Sequence, residues 1–401
     1  NAIAAPLGLV LNQLDTLSSL EQAGEVLFDP LGGIIDLRAR RIKMVNEGIF
    51  RYDPLRMLRA LRLAKRYTLT IDNATGQLIQ SEAALLTNVA AERIHEELYV
   101  LLSGPGALEQ MHRLDEYGLF SVLLPEFSAA RHMRQPFPHY WDVFEHSLQS
   151  IHFLEKLINA LGAGLPFPAE LTTLSTAIED LQDIRELLHE SEAQNILSLL
   201  ELQAPRIKMA ALLHDIGKPP TYTVDDQGAI HFYGHPQVGS PIANDIMRRL
   251  SASTADRRLA QMVAAHHMRP GQLSQEETIT PRALRRYFID LGPTGVIVAL
   301  FSLADHLATL GPQPLTASWA RHLSTVRLLL TRYIREQERI LPPRLVRADE
   351  LISRLKLSPG PLIGQLLEMI AEAQTEGRIS SREEAVLLAK EYMREHVAQE
   401  S

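Results

Sequence analysis

The sequence predicts a mainly α-helical protein. Prolines and glycines separate segments in which apolar residues recur at helical spacing, and strand patterns are few. The chain has 401 residues, of which 46% are hydrophobic. A chain of that size and composition can form packed cores in more than one domain.

The strand signals lie near the start of the chain. The stretch EVLFDPLGGIIDL, residues 25–37, has two short apolar runs around Asp-Pro-Leu-Gly-Gly, a pattern that predicts a β-hairpin. The stretch RIKMV, residues 41–45, is a candidate third strand. After Gly48 the chain reads as almost entirely helical.

The segment YDPLRMLRALRLAKR, residues 52–66, predicts an amphipathic helix with Asp53 as N-cap and Pro54 at the first helical position. Its basic arc is Arg56, Arg59, Arg62 and Arg66, and its apolar arc is Met57, Leu58, Ala60, Leu61 and Ala64.

Residues 38–66 hold ten Lys or Arg and only two acids, Glu47 and Asp53, within a chain of net charge −8. Two interpretations follow: a solvated helix face, or a binding surface for a polyanion such as a nucleic acid.

Further helices are predicted downstream. They cover residues 90–103 and 108–125, a run within 142–310 that includes a polar helical insertion near 161–204, and the charge-mixed block 313–401. The Pro- and aromatic-rich segment 134–146 is a predicted boundary, and Pro359-Gly360-Pro361 is expected to separate two helices.

The composition excludes several classes of site. The chain contains no cysteine, so disulfides and thiolate metal sites are excluded, and any metal must be bound by His, Asp, Glu or water. It shows no run of eighteen apolar residues and no signal peptide. A cytoplasmic location without a membrane partner is therefore expected, and homo-oligomerisation stays an open alternative.

Histidines and aspartates recur on the predicted helices. The sequence ALLHDIGKPP, residues 211–220, places His214 and Asp215 at the end of an apolar helix, while His146 and Asp305 lie on two others. A lone helical His is usually structural, but a carboxylate in an apolar helix generally has a cation as partner. These four side chains can converge on one metal ion, as ligands do in helical bundles.

The order His, His-Asp, Asp on helices resembles the HD-domain family of metal-dependent phosphohydrolases. The resemblance implies that His146, His214, Asp215 and Asp305 bind a divalent ion, namely Mg, Mn or another transition metal. It also implies that His235 and His267 bind a second ion or the substrate phosphate. Lys218 follows the pair, as it often does in that family. His214, Asp215, Lys218, His235 and His267 are thus the candidate catalytic residues.

A second resemblance covers most of the chain. FDPLGGIIDL, RYDPLRMLRALRLA, AERIHEEL and LSPGPLIGQLLEMI resemble segments of bacterial-type CCA-adding tRNA nucleotidyltransferases and bacterial poly(A) polymerases. The resemblance implies that Asp53 and Arg56 pair with the edge of an incoming base. It further implies that Arg59, Arg62 and Arg66 contact the phosphates of tRNA or another RNA.

On this resemblance, residues 1–47 are a remnant of the head domain that contains the β-hairpin. Residues 48–135 are a helical neck, 136–312 the HD domain, and 313–401 a helical tail. The family's Gly-rich loop and paired metal-binding aspartates are not found, so the chain is expected to lack most of the catalytic head and not to add nucleotides by itself.

Three functions remain open. The chain is the RNA- and nucleotide-binding neck, body and tail of a CCA-adding or poly(A)-adding protein, a stand-alone HD phosphohydrolase acting on nucleotides or 2′,3′-cyclic phosphates, or a non-catalytic RNA-binding scaffold.

Overall fold

The computed structural model describes residues 29–162, 167, 171, 175–340 and 342–397. The described chain is dominated by helices and has only short strands, which confirms the predicted mainly α fold. The described chain forms two compact units. The first extends to Glu155 and includes Gln203–Ala265, and the second contains Lys156–Leu202 and the chain from His266 onward.

The helices are numbered in the order in which they occur along the chain. The first thirteen are α1 (Gly33–Arg38), α2 (Ile49–Tyr52), α3 (Arg56–Tyr67), α4 (Asn73–Glu82), α5 (Ala91–Leu102), α6 (Ala107–Glu116), α7 (Leu119–Leu123), α8 (Val143–Gly162), α9 (Ser175–Ala193), α10 (Leu199–Leu202), α11 (Pro205–Leu213), α12 (His235–Arg249) and α13 (Thr254–His266). Then follow α14 (Met268–Leu273), α15 (Pro281–Leu291), α16 (Thr294–Leu310), α17 (Ala317–Arg335), α18 (Gln337–Ile340), α19 (Ala348–Leu355), α20 (Pro361–Thr375) and α21 (Arg382–Val397). The 3₁₀ helices are Ala83–Asn88, Pro125–Ala130 and Pro219–Thr221.

The strands form two small two-stranded sheets. Strand β1 (Arg41–Ile42) pairs in parallel with β2 (Thr70–Ile71). Strand β3 (Thr223–Val224) pairs antiparallel with β4 (Ile230–His231). The candidate strand at 41–45 is therefore confirmed only at its first two residues.

The predicted β-hairpin at 25–37 is wrong for residues 29–37, which the structure describes. Residues 25–28 lie outside the described residues, and the second half of the hairpin is helix α1. The Asp29 carboxylate accepts hydrogen bonds from the backbone N–H groups of Gly33 and Ile34, both at 2.8 Å. These bonds satisfy donors of the first turn, so a helix starts where the apolar pattern indicated a strand.

Helix α3 has the two faces that the sequence predicted. Met57, Leu58, Ala60, Leu61 and Ala64 are buried, and the helix packs against α5 and α6. The predicted N-cap is wrong, because the helix begins at Arg56 and Asp53 has extended backbone angles. The side chain of Asp53 is engaged by arginines instead.

The second unit is built on long helices. The insertion helix α9 packs against α17, and Arg327 on α17 forms ion pairs with Asp180 at 2.7 Å and Asp183 at 3.1 Å. Helices α19 to α21 enclose a separate core that includes Leu351, Leu366 and Ile370. The predicted break at Pro359-Gly360-Pro361 is confirmed, because α19 ends at Leu355 and α20 begins at Pro361.

No single helix among residues 29–162, 175–340 and 342–397 is long and apolar enough to cross a membrane. Within these ranges, the pair α15 and α16, bent by 105°, passes the same test when taken together, by length and composition alone.

Candidate functional site

The predicted metal-binding residues of the first unit come from the ends and interiors of three helices. Helix α11 is buried from Ile207 to Leu213 and ends at the His214–Asp215 pair. His146 lies in the first turns of α8, and His235 opens α12. His146, His214 and Asp215 are each at most 1% exposed, and His235 is 6% exposed.

A glycine lets α12 approach the His-Asp turn. A Cβ atom on Gly217 would lie 2.1 Å from the carbonyl oxygen of His235 and 2.6 Å from the backbone nitrogen of Gly239. Real Cβ atoms do not approach so closely, so only glycine fits at this position. The contact fixes the distance between the Asp215 turn and His235.

The ligand atoms form a tight group. His146 Nε2 lies 3.3 Å from His214 Nε2 and 3.4 Å from Asp215 Oδ2, and His214 Nε2 lies 3.1 Å from Asp215 Oδ2. His235 Nε2 lies 3.3 Å from the other oxygen, Asp215 Oδ1. We call His146, His214, Asp215, Lys218 and His235 the HD cluster.

The histidine tautomers support a cation in this group. His214 Nδ1 lies 2.8 Å from the Ala211 carbonyl oxygen and His235 Nδ1 lies 2.9 Å from that of Phe232, so both Nδ1–H groups donate to backbone. In the neutral rings, each Nε2 then carries a lone pair. Both Nε2 atoms lie 3.1–3.3 Å from an Asp215 oxygen, so the neutral rings and the carboxylate offer adjacent donors to a cation.

Lys218 adds a fixed positive charge. Its Nζ lies 2.5 Å from Asp215 Oδ2 and donates to Gln135 Oε1 at 2.6 Å. Burial alone would raise the pKa of the Asp215 carboxyl, but the charge of His214 in its protonated form, the charge of Lys218 and hydrogen bonds from His146 and His214 hold this pKa well below its usual range. Asp215 is therefore an anionic ligand at neutral pH.

This donor set fits a divalent ion. Ligands bound at about 2.1 Å to one tetrahedral or octahedral ion lie roughly 3.0–3.4 Å apart, and the separations within the group of His146, His214 and Asp215 are 3.1–3.4 Å. Imidazole and carboxylate donors suit transition metals. His146, His214 and Asp215 can thus hold a divalent metal ion.

The two remaining residues of the predicted HD site belong to the second unit. His267 is buried directly before α14, and Asp305 is partly buried within α16. Their assignment to the same centre stays a prediction.

The predicted base-reading residues of the neck are joined by an arginine network. Asp53 Oδ2 lies 3.8 Å from Arg56 Nε and 3.5 Å from Arg59 Nη1, and Asp53 Oδ1 lies 3.2 Å from Arg93 Nη2. Arg93 lies on α5, forty residues from Asp53. Asp53 and Arg56 are thus neighbours, and Arg93 is a further member that the base-reading assignment did not include.

The predicted RNA-contacting arginines differ in their surroundings. Glu97, on α5, binds Arg59 Nε at 3.0 Å and Arg62 Nε at 2.7 Å. Arg66 is exposed, and its guanidinium lies 5.3 Å from the centre of the Tyr67 ring. The basic arc of α3 therefore carries less free charge near Glu97 than the sequence suggests.

Comparisons with known proteins find two family models that match this chain. The family model described as "Probable RNA and SrmB- binding site of polymerase A" matches residues 68–131, and the HD domain model matches residues 143–309. The A-adding tRNA nucleotidyltransferase of Deinococcus radiodurans is 31% identical over 369 residues, which cover 90% of this chain and 73% of that protein. The chain belongs to the tRNA nucleotidyltransferase family.

Other tRNA nucleotidyltransferases also match most of the chain. The CC-adding tRNA nucleotidyltransferase of Thermus thermophilus is 30% identical over 381 residues, covering 92% of this chain and 73% of that protein. The crystal structure of the Bacillus stearothermophilus CCA-adding enzyme with CTP superposes with a TM-score of 0.50 at 19% identity, over 93% of this chain and 70% of that one. That structural match shows the fold.

Proposed function

We propose that this tRNA nucleotidyltransferase-like protein acts in RNA processing, binding RNA and nucleotide through its neck and hydrolysing phosphoesters at its HD cluster with a divalent metal. The observation that carries the hydrolytic part is the convergence of the Nε2 atoms of His146, His214 and His235 on the Asp215 carboxylate. Mn or another transition metal suits the imidazole donors better than Mg.

The HD cluster divides into metal-holding and phosphate-binding groups. His146, His214 and Asp215 would hold the ion, and the backbone carbonyls of Ala211 and Phe232 orient the rings of His214 and His235. A bound divalent ion supplies an activated water near neutral pH and neutralises charge on the phosphoryl oxygens. The Lys218 ammonium, held by Asp215 and Gln135, is placed to attract a phosphate at the same site.

In the neck, a base edge would take the place of part of the arginine network. A carboxylate accepts from an exocyclic amine, and a guanidinium donates to ring or carbonyl acceptors, so Asp53 and Arg56 supply complementary groups. Arg93 holds Asp53 in position from α5. The names of the relatives, A-adding and CC-adding, make tRNA the proposed RNA partner and ATP or CTP the proposed nucleotides.

RNA phosphates would be contacted through α3. Arg66 is the strongest candidate because it is exposed, whereas Arg59 and Arg62 must share their charge with Glu97. Phosphate contacts make binding weaken as salt concentration rises.

The hydrolytic proposal is tested with 2′,3′-cyclic AMP in the presence of Mn²⁺, Ni²⁺ or Mg²⁺. We expect wild-type turnover with at least one ion, and its loss in His214→Ala and Asp215→Asn. The matched control is His189→Ala, which removes an exposed imidazole on α9 and should leave turnover unchanged. Absence of turnover with every ion would refute the hydrolytic proposal and favour the non-catalytic scaffold.

The RNA-binding proposal is tested by titrating tRNA at several salt concentrations. We expect Arg66→Ala to weaken binding and to reduce the salt dependence, because one phosphate contact is lost. Binding that is independent of salt, or unchanged in Arg66→Ala, would contradict the proposed role of α3.

A further inference from the structure

Exposed aromatic side chains are concentrated beside the HD cluster. Among the exposed large apolar side chains of the described residues, five are aromatic, and four of these five lie in two loops that flank the cluster. These four residues, which we call the aromatic rim, are Phe137 (88% exposed), Tyr140 (51%), Tyr222 (41%) and Tyr233 (76%). Exposed apolar side chains beside polar groups are typical of binding surfaces.

Both loops are tied to the HD cluster. In the loop of Phe137 and Tyr140, Gln135 accepts the hydrogen bond from Lys218 at 2.6 Å, and the His139 ring lies 5.5 Å from the His146 ring. The loop of Phe137 and Tyr140 is therefore attached to the side chains that would bind a phosphate and its metal.

The second loop is also anchored there. The Phe232 ring lies 5.6 Å from Lys218 Nζ, and the Phe232 carbonyl orients His235. Tyr233 lies between Phe232 and His235 in the sequence, so it is close in the chain to one residue of the cluster and to one that contacts it.

The hairpin that carries Tyr233 is held by its own side chains. Asp225 Oδ1 accepts hydrogen bonds from the backbone N–H groups of Gln227 and Ala229, both at 2.9 Å. Asp225 Oδ2 lies 2.8 Å from His231 Nε2. The Tyr233 ring stacks on His231 with centroids 4.8 Å apart and planes at 12°. Tyr233 is thus supported on one face while most of its surface stays exposed.

We propose that the aromatic rim is a base-stacking platform, with Tyr233 as its main residue, and that it makes the HD cluster selective for nucleoside phosphates. The inference rests on the proposed function for the placement of the phosphate at Lys218 and the bound ion. A nucleoside phosphate matches both the HD cluster and the aromatic rim. Its phosphate binds cationic groups, and its base has a π face that stacks on aromatic rings. A protein partner would account for the exposed aromatic residues but not for their attachment to Lys218 and His235.

The test compares two ligands that differ only in the base. Adenosine 5′-monophosphate and ribose 5-phosphate are titrated calorimetrically into the Mn²⁺-loaded chain. All proteins carry Arg56→Ala so that the neck does not contribute. We expect the nucleotide to bind on the order of tenfold tighter, the lower end of the effect of one base–aromatic stack.

The variants assign that preference to the platform. Tyr233→Ala should weaken nucleotide binding on the order of tenfold and leave ribose 5-phosphate unchanged, while Tyr233→Trp should retain the preference. Tyr52→Ala is the matched control, because Tyr52 is the fifth exposed aromatic residue, 84% exposed, and lies outside both loops. Equal affinity for the two ligands, no measurable nucleotide binding, or equal weakening of both ligands in Tyr233→Ala would overturn the proposal.

Hydrolysis is measured separately, so the two proposals can fail independently. A chain that prefers the nucleotide through Tyr233 but hydrolyses nothing would refute the phosphohydrolase proposal without contradicting the platform proposal.

A short single-stranded RNA distinguishes the source of the ligand. If the platform receives an RNA end, Tyr233→Ala and Phe137→Ala should both weaken binding of the oligonucleotide, and Phe137→Ala should leave the mononucleotide unchanged. Oligonucleotide binding that is unchanged in both variants would assign the platform to free nucleotides.

Discussion

A buried lysine joins the proposed neck to the helices of the HD cluster, and its removal should strongly destabilise the first unit. Lys208, on α11, is 2% exposed. Its Nζ donates to the carbonyl oxygens of Leu102 at 2.8 Å and Gly104 at 2.5 Å, and it lies 2.6 Å from Glu155 Oε1. Through these bonds, α11 and α8 hold the end of α5.

The Glu155 carboxylate completes the connection. It accepts hydrogen bonds from the backbone N–H groups of Gly106 at 3.0 Å and Ala107 at 3.2 Å, at the start of α6. Lys208→Met keeps much of the side-chain volume but leaves this carboxylate and two carbonyl groups without the ammonium. Breaking a buried ion pair by removing one partner costs about 3–5 kcal/mol. That loss is a large part of an ordinary domain's stability of about 5–15 kcal/mol.

The loss is measured by urea unfolding, with hydrogen exchange at the Gly106 and Ala107 amides as a local probe. Lys43→Met is the matched control, since Lys43 is exposed and should change stability by no more than about 0.5 kcal/mol. The double variant Lys208→Met, Glu155→Gln should be more stable than Lys208→Met, because the uncompensated charge is gone. A loss below about 1 kcal/mol, similar to that in the control, would refute this reasoning.

The packing and the site give three further predictions. Gly217→Ala should weaken metal binding, because its Cβ would collide with the His235 carbonyl at 2.1 Å; an unchanged metal titration would contradict this. Leu61→Ala removes a side chain that is 0% exposed and should lower the free energy of unfolding by about 2–5 kcal/mol, measured by urea unfolding; a loss below about 1 kcal/mol would show that the surrounding side chains collapse into the space. Arg93→Ala should weaken ATP binding without unfolding the chain, because Asp53 loses its partner on α5; equal affinity in a fluorescence titration would remove Arg93 from the site.

The sequence predicted well those features that depend on local pattern. The two arcs of α3 follow from residue spacing alone, and the five residues of the predicted apolar arc are the ones that are buried in this helix. The break at Pro359-Gly360-Pro361 follows from backbone chemistry, and the family was recognised from segments that are contiguous in the chain.

Features that depend on distant contacts could not be predicted. The Asp53–Arg93 pair and the Lys208–Glu155 pair join residues 40 and 53 positions apart, and no local pattern specifies either pair. The hairpin prediction failed because two hydrogen bonds from Asp29 outweigh the β-like composition of the residues that follow. The aromatic rim likewise emerges only when side-chain exposure is known.

Metal binding at the HD cluster is the most direct test of the proposed centre. Equilibrium dialysis with Mn²⁺ and Co²⁺ should show a tightly bound ion in the wild type and in His189→Ala. Affinity should fall by at least on the order of 100-fold in His214→Ala and Asp215→Asn, because ligand loss should exceed the effect of losing an outer hydrogen bond. Pulsed electron paramagnetic resonance of the bound Co²⁺ should detect imidazole nitrogen, with less coupling in His146→Ala. A wild type that binds no ion, or variants that bind it as tightly, would contradict the claim that His146, His214 and Asp215 form a metal centre.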